Sequence, residues 1–225
     1  MSKPRFGERL LDIFFPPKCP FCSKHTVKRQ AGCCETCKGR LAENQEIIRL
    51  AVGQAKREVR CLAPFVYEGL TRKAILALKF HHHREYAPLL GALLASQLSK
   101  RLDSYQADMV TAVPLSKARQ NERGYNQSAL LAKTFAREIG LPYEELLCKV
   151  RENQVQHTLS ADERENNVQG VYAAVKQSLI KGKNVLLVDD IVTTGSTLSE
   201  CAKVLLSAGA KEVLCAAMAY RGLYS

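Results

Sequence analysis

The sequence has no uninterrupted apolar run long enough to cross a membrane. Residues 1–17 also lack the long apolar segment and the small-residue cleavage site of a secretory signal. No internal repeat or low-complexity tract is evident. These absences argue against a membrane-spanning, exported or repetitive protein, and they predict a soluble protein of the cytoplasm. Because 46% of the 225 residues are hydrophobic and 24% are charged, we expect one mid-sized domain and one small accessory module.

Acidic residues are scarce relative to basic ones, which gives a formal net charge of +11. Residues 1–60 hold 13 Lys and Arg against 6 Asp and Glu, and therefore carry +7. The remaining residues hold 20 basic and 16 acidic groups and carry +4. The excess near the N-terminus would favour contact with a polyanion or an acidic surface, although solubility alone explains it equally well.

The nine cysteines are unevenly distributed, and five of them fall between Cys19 and Cys37. In a chain without an export signal, such clustering indicates a metal site rather than disulfide bonds. Two Cys-x-x-Cys pairs supply four thiolates, which suits a tetrahedral structural Zn²⁺ ion. The predicted ligands are Cys19, Cys22, Cys34 and Cys37. Cys33 could replace Cys34 as the third ligand, and His25 is an outside candidate. The other cysteines lie in strand or helix patterns and are predicted core residues: Cys61, Cys148, Cys201 and Cys215.

Apolar strand patterns alternate with helical patterns from residue 61 onward. The predicted strands cover 61–67, 109–113, 185–188 and 212–219, and the predicted helices cover 71–80, 86–102, 128–139 and 198–207. Strands that are apolar on both faces and alternate with helices indicate an α/β fold, with a parallel sheet covered on both sides.

Three segments fall outside this alternation. Residues 5–15 form a short amphipathic stretch, expected to be helical, which Pro16 and Pro17 terminate. Residues 41–60 are polar and basic with weak helical periodicity, which predicts a helix or a linker. Residues 151–168 form a long polar stretch without periodicity, and a loop of that length in a compact domain is more often functional than accidental. The predicted division is an N-terminal module at 1–42, a linker or helix at 43–60, and the main domain at 61–225.

The most informative run begins at Val185 and ends at Leu198. It contains a buried strand, the acids Asp189 and Asp190, a loop rich in hydroxyl groups and glycine, and a helix start, in that order. In open parallel sheets, ligands bind beyond the carboxyl ends of strands, and this loop leaves such an end. A phosphate there would meet unpaired backbone N–H groups and the positive end of the helix dipole. The residues predicted to hold it are Thr193, Thr194, Gly195, Ser196 and Thr197.

Two adjacent acids beside a phosphate loop would repel the phosphate unless they had another task. Accepting hydrogen bonds from the 2- and 3-hydroxyls of a ribose is such a task, and a nearby divalent ion would reduce the repulsion. The alternative is that the loop is only a tight turn with helix caps, which leaves Asp189 and Asp190 unexplained. The helix start is itself specified locally, because residues 197–200 fit a capping box.

This run resembles the phosphoribosyl pyrophosphate (PRPP) motif of the type I phosphoribosyltransferases. The resemblance implies that Asp189 and Asp190 are catalytic residues that hold the ribose hydroxyls, and that the following loop holds the 5-phosphate. It also implies that the loop after an early strand, here ending at Pro114, contacts pyrophosphate, with Mg²⁺ accompanying PRPP there. The candidates, whose basic members suit pyrophosphate, are Ser116, Lys117, Arg119 and Arg123.

Further segments resemble the ComF family of late-competence, phosphoribosyltransferase-like proteins. They are residues 113–127, Leu78-Lys79-Phe80, Phe15-Pro16-Pro17 with the Cys-x-x-Cys that follows, and the set Gln156, Leu159, Ser160, Arg164, Asn167 and Gly170. The resemblance covers nearly the whole chain. It implies a type I phosphoribosyltransferase-like parallel sheet with a small N-terminal four-cysteine zinc module. It also implies the handling of single-stranded DNA in the cytoplasm during natural transformation, beside other DNA-uptake proteins such as a helicase.

The sequence leaves two functions open. The first is a protein that handles single-stranded DNA and retains a PRPP site, and the alternative is an active transferase that moves ribose 5-phosphate from PRPP to an unknown nitrogen acceptor. Candidates for nucleic-acid contacts or for a lid over the site are Lys79, Tyr125, Lys149, Arg151 and Arg164. Tyr67 and Phe80 could stack bases, although aromatic residues at such positions more often pack. Residues 81–83 are consecutive histidines whose side chains point in different directions, which disfavours a metal site.

Overall fold

The computed structural model describes residues 16–24, 27–28, 31–80, 83–102, 104–151 and 170–222. The amphipathic stretch 5–15 and nearly all of the polar stretch 151–168 lie outside the described residues. The same holds for His25, His81, His82 and Arg164.

Helices and strands alternate along most of the described chain. The helices are α1 (Glu35–Lys38), α2 (Gly69–Phe80), α3 (Tyr86–Leu102), α4 (Lys117–Arg123), α5 (Gln127–Ile139), α6 (Gln177–Ile180) and α7 (Ser196–Ser207). The strands are β1 (Ile47–Val52), β2 (Arg57–Leu62), β3 (Phe65–Val66), β4 (Met109–Ala112), β5 (Leu147–Lys149), β6 (Tyr172–Ala174), β7 (Asn184–Val192) and β8 (Glu212–Tyr220).

The main sheet has the strand order β1-β2-β8-β7-β4, and β3 also pairs with β8. Strands β2, β8, β7 and β4 pair in parallel, whereas β1 pairs with β2 antiparallel. Strands β5 and β6 form a separate antiparallel pair. The α/β fold with a parallel sheet is therefore confirmed, and an antiparallel strand is added at one edge.

The strands at this edge show that the prediction of a helix or a linker for residues 41–60 is wrong. The segment is neither a helix nor a linker, because β1 and β2 form a hairpin whose second strand joins the main sheet. Buried Leu50 and Val52 alternate with exposed residues in β1, and Gly53 begins the turn with a φ of +68°. The alternation covers only a few residues of each strand, so the weak helical periodicity of the whole segment was misleading.

Strand β7 is buried on both faces because helices cover each side of the sheet. Leu186 and Val188 lie in one apolar layer with α2, α3 and α5, whereas Val185 and Leu187 lie in the other with α7. This arrangement explains why the strand is apolar at consecutive positions. Cys61, Cys201 and Cys215 are buried in the second layer, in agreement with their prediction as core residues, and Cys148 is half-buried.

The bounds of two elements matter for the site. Strand β7 continues to Val192, so both acids lie within the strand rather than after it. Helix α7 begins at Ser196 with Gly195 as its N-cap, and the capping box predicted at residues 197–200 is wrong. Glu200 instead accepts a hydrogen bond from Gly170 N at 2.9 Å and pairs with Lys203 at 2.8 Å. The left-handed φ of Gly195 turns the chain into the helix earlier than the side-chain pattern indicated.

The N-terminal module packs against α3. Cys19 and Phe21 share an apolar layer with Leu93. Gly32 has a φ of +71°, and a Cβ there would lie 2.6 Å from Leu93 Cβ and 2.7 Å from Leu89 O. The close approach of module and helix therefore requires glycine at this position.

Within the described ranges, none of the helices combines the length and the apolar character needed to cross a membrane.

Candidate sugar-phosphate site and metal centre

The acid pair lies at the carboxyl end of β7, and its first member is held by α5. Asp189 is half-buried, and its Oδ1 accepts hydrogen bonds from Ser128 Oγ at 2.7 Å and from Asp190 N at 2.8 Å. Ser128 is placed by Asn126, which caps α5 through its Oδ1 and donates from its Nδ2 to Val113 O at 3.0 Å. The end of β4, the start of α5 and the end of β7 are thus connected at one edge of the sheet.

The second acid is enclosed. Asp190 is 3% exposed, and its Oδ1 lies 2.9 Å from the ammonium nitrogen of Lys79, in the last turn of α2. Its Oδ2 is also buried, and it has no hydrogen-bond partner among the residues that the structure describes. Asp190 therefore faces a lysine inside the protein, whereas Asp189 is the more accessible of the two acids.

The surroundings of the pair shift two pKa values. Burial, and secondly the charge of Asp190, raise the pKa of Asp189 from 3.8 to about 7, although the hydrogen bond from Ser128 and the charge of Lys79 oppose the rise. Burial alone would lower the pKa of Lys79, but the attraction of Asp190 and their hydrogen bond outweigh it and raise that pKa. Lys79 is therefore charged at neutral pH.

The loop after β7 leads directly into the N-terminus of a helix. Gly195 adopts a φ of +80° as the N-cap of the 12-residue helix α7, so the helix N-terminus follows the acids closely along the chain. The side-chain oxygens of Thr194 and Ser196 lie 3.1 Å apart, and Ser196 N donates to Thr194 Oγ1 at 3.4 Å. Thr193 is exposed and Thr197 is partly exposed. The five residues predicted for the phosphate thus form one turn at the start of a helix.

Two neighbours of this loop were missed by sequence reasoning. Leu50 of β1 packs against Gly195, where a Cβ would lie only 2.3 Å from Leu50 Cδ2. Burial raises the pKa of the Tyr172 phenol, whereas a hydrogen bond with Thr197 and the charge of Arg119 oppose the rise. Tyr172 is therefore hydrogen-bonded to Thr197 and lies close enough to Arg119 to sense its charge. Nothing in the sequence near Leu50 or Tyr172 signalled these contacts.

The residues predicted to contact pyrophosphate lie on a short helix rather than in a loop. Ser116 is buried and caps α4 by accepting from Arg119 N at 3.3 Å. Lys117 and Arg119 are exposed. Arg123 donates to Gln127 Oε1 at 3.0 Å, and its guanidinium lies 4.8 Å from the centre of the Phe80 ring. Lys117 and Arg119 are thus available at the surface, whereas Arg123 and the Ser116 hydroxyl already have structural partners.

The residues predicted as nucleic-acid or lid candidates are dispersed. Lys79 lies inside the site, and the Tyr125 hydroxyl donates to Leu78 O at 2.5 Å, so Tyr125 packs against the end of α2. Lys149 is half-buried on β5, and Arg151 is exposed just before the undescribed residues.

The aromatic and histidine residues near the end of α2 differ in exposure. Phe80 is 57% exposed, whereas Tyr67 is partly buried. His83 pairs with Glu85 and stacks on Tyr86 at 4.8 Å between ring centres, which gives it partners other than a metal.

The four predicted zinc ligands converge. The sulfur atoms of Cys19, Cys22, Cys34 and Cys37 all lie within 4.8 Å of one another, and those of Cys22 and Cys34 are 3.9 Å apart. Four thiolates bound to Zn²⁺ at about 2.3 Å in a tetrahedron are roughly 3.8 Å apart, so the cluster fits the ion. Cys33 is buried and lies outside the cluster, so the side chain that converges with the other three cysteines is that of Cys34.

Residues 90–224, three fifths of the chain, match the family model described as Phosphoribosyl transferase domain. The chain belongs to this family. Residues 10–49 match the model described as Double zinc ribbon domain, which agrees with the four-cysteine cluster. The phosphoribosyltransferase fold and the structural zinc module expected from the sequence are both confirmed.

Curated relatives confirm the resemblance to the ComF family. The chain is 36% identical over 140 residues to DNA utilization protein YhgH of Salmonella typhimurium, covering 60% of this chain and 61% of that protein. It is 36% identical over 108 residues to Competence protein F of Haemophilus influenzae, covering 47% of each. It is 35% identical over 125 residues to Competence protein ComFC of Streptococcus pneumoniae, covering 56% of this chain and 54% of that one. The chain spans about half to three fifths of the length of these relatives.

Proposed function

We propose that this protein binds PRPP at the end of β7 and handles single-stranded DNA in the cytoplasm during natural transformation. One observation carries the PRPP site: an acid pair near the end of a central strand is followed, after a short loop, by Gly195 and the N-terminus of α7. Membership of the phosphoribosyl transferase domain family supports the ligand, and relatives named for DNA utilization and competence support the process. Nine cysteines without a disulfide suit a reducing compartment.

Each part of PRPP is assigned to groups of the protein at the end of β7 or on α4. Amides and hydroxyls of residues 193–197 would hold the 5-phosphate, and Asp189 would accept from the ribose hydroxyls. Lys117, Arg119 and Arg123 would pair with the pyrophosphate. Hard divalent cations need accessible oxygen ligands, and the acid pair offers few because both oxygens of Asp190 are buried. The acid pair is therefore a poor fit for Mg²⁺, which in this proposal accompanies the pyrophosphate of the donor.

Calorimetric titration with PRPP and Mg²⁺ tests the sugar site. At pH 8, above the raised pKa of Asp189, the wild type should bind, and Asp189→Asn should weaken binding roughly tenfold or more, because hydrogen bonds to a charged acceptor are lost. Glu212→Gln is a matched control, since it also removes one carboxylate, but from an exposed position at the start of β8, at the opposite end of the strands from the acid pair. No binding by the wild type, or equal binding by Asp189→Asn, would contradict the proposal.

The zinc module offers the surface proposed for DNA. It presents exposed basic side chains, namely Lys18, Lys24, Lys28, Lys38 and Arg40. Binding of a labelled single strand should weaken steeply with salt, because each phosphate contact releases counterions. A triple exchange of Lys24, Lys28 and Lys38 to glutamate should flatten the salt dependence, whereas Lys100→Glu on α3 should change it little. No affinity even at low salt would overturn this role.

Active transfer is the second candidate, and membership of a transferase domain family favours it. In that reaction the bond from ribose C1 to the pyrophosphate oxygen breaks, a bond from C1 to a nitrogen forms, and the nitrogen loses a proton. Release of pyrophosphate should then depend on an acceptor and be abolished by Asp190→Asn. No release across a broad panel of nitrogen bases would leave binding alone. Other DNA-uptake proteins, such as a helicase, are proposed partners on family grounds.

A further inference from the structure

One member of the acid pair, Asp190, already has a cationic partner within the protein. Lys79 and Asp190 form an ion pair of 2.9 Å in which the side chains are only 18% and 4% exposed. The two residues lie on α2 and β7, so the pair joins a helix to the central strand at the site itself. An ion pair this enclosed is screened far less by solvent than a surface pair, and it therefore affects local charge strongly.

The position of Lys79 is fixed by its neighbours. Leu78 is a fully buried residue of α2, and its carbonyl accepts a hydrogen bond from the Tyr125 hydroxyl at 2.5 Å. The last turn of the helix is thus held by packing on one side and by a hydrogen bond at its end. The Lys79 ammonium is therefore presented to Asp190 by a rigid support rather than by a free chain end.

This pairing changes what the acids can bind. Two ionised neighbours would carry two negative charges toward a sugar phosphate, which is itself an anion. Lys79 neutralises one of them and occupies Asp190 Oδ1, and Asp190 Oδ2 is enclosed. A divalent cation that served the same purpose would need those oxygens as ligands. The lysine and such a cation are therefore alternatives at this position.

We propose that Lys79 is the fixed counter-ion of the acid pair: it holds Asp190 and allows the ribose end of a sugar phosphate to bind without a divalent cation at the acids. Lys79 is in this sense a positioning residue, acting through Asp190. The inference rests on the proposed sugar-phosphate site and goes beyond it, because it assigns the source of charge compensation and the metal dependence of binding.

Ribose 5-phosphate is the appropriate probe, because it has the sugar and the 5-phosphate but no pyrophosphate to chelate Mg²⁺. The wild-type affinity should change by no more than about twofold between EDTA and excess Mg²⁺, since an ion that does not act at the site shifts nothing. Lys79→Met should bind roughly tenfold or more weakly in EDTA, because the uncompensated charge repels the phosphate. Mg²⁺ should restore part of this loss, and Lys79→Arg should bind like the wild type in EDTA.

A second measurement tests the ion pair without any ligand. Lys79→Met leaves the Asp190 carboxylate buried without its partner, so the urea midpoint should fall. The double variant with Lys79→Met and Asp190→Asn removes both charges, and it should lose less than the sum of the two single variants. Lys73→Met is the matched control, because Lys73 is an exposed lysine of the same helix, and it should change neither stability nor binding.

These measurements distinguish a failure of the proposed sugar-phosphate site from a failure of the role assigned to Lys79. If the wild type binds neither ribose 5-phosphate nor PRPP, the proposed sugar-phosphate site fails, whatever the stability cycle gives. If the wild type binds and Lys79→Met binds equally well in EDTA, or if wild-type binding requires Mg²⁺, the assignment of Lys79 is overturned and the site survives. If Lys79→Met does not fold, the wild type and Lys79→Arg still decide the metal dependence.

Discussion

At Gly195, the loop that follows β7 contacts the hairpin formed by β1 and β2. The φ of Gly195 is +80°, and a Cβ there would lie 2.3 Å from Cδ2 of buried Leu50. Replacement by alanine therefore has two separate costs. The left-handed backbone costs an L-residue about 1 kcal/mol. Overcrowding costs about 1–3 kcal/mol, and the lower part of that range applies because Cδ2 is the far end of a side chain that can rotate.

We expect Gly195→Ala to lower the free energy of unfolding by about 2–3 kcal/mol, measured by urea denaturation. Gly140→Ala is the matched control, because Gly140 has nearly the same φ of +75° but a Cβ there would meet nothing within 4 Å. The control should lose only about 1 kcal/mol. In a Leu50→Ala background, the effect of Gly195→Ala should fall to the value of the control, since the crowded methyl group is gone.

Two results would contradict this expectation: Gly195→Ala costing no more stability than Gly140→Ala, or the Leu50→Ala background leaving the cost of Gly195→Ala unchanged. Either result would mean that Leu50 does not press on the loop. The hairpin would then have no part in fixing the turn that begins α7.

Three further predictions concern the metal, the acid pair and the support of α2. Cys34→Ser should lose the zinc and Cys33→Ser should retain one ion per chain in metal analysis, and equal contents would contradict the ligand set. Burial, with the charge of the second acid, raises the pKa of Asp189 from 3.8 to about 7, so the folded state binds more protons than the unfolded one between about pH 4 and 7. The unfolding free energy of the wild type should therefore fall relative to Asp189→Asn as pH rises through that range, and a constant difference would count against the shift. Tyr125→Phe removes the hydrogen bond to Leu78 O and should cost about 1 kcal/mol in urea denaturation, whereas no loss would show that the bond adds nothing to stability.

Local patterns predicted much of the fold. The helical periodicity of residues 86–102 predicts the bounds of α3, and the apolar run at residues 185–188 predicts the central strand. These signals are reliable because they depend on periods of a few residues within one element. The zinc ligands were predictable for the same reason, since the spacing within each Cys-x-x-Cys pair is a local property. The choice between Cys33 and Cys34 was not, because it depends on which side chain turns toward the other pair.

The hairpin shows where local patterns fail. Its strands are short, and the alternation of buried and exposed positions in β1 is weaker than the helical pattern of the whole polar segment. The contact with β8, about 150 residues further along the chain, stabilises β2 as a strand. That contact belongs to the topology and leaves no signal in the segment itself.

The sequence by itself determined the chemistry available at the site: two acids, a loop of hydroxyls and glycine, and a helix that begins behind them. The tertiary structure decided which acid faces outward, because Lys79 reaches Asp190 across 111 positions of sequence and leaves Asp189 accessible. It also brought Leu50 against Gly195, and Tyr172 beside Thr197. Residue spacing governs the contacts made within a helix or a turn, whereas contacts between distant residues follow from how the sheet orders its strands and where each helix crosses it.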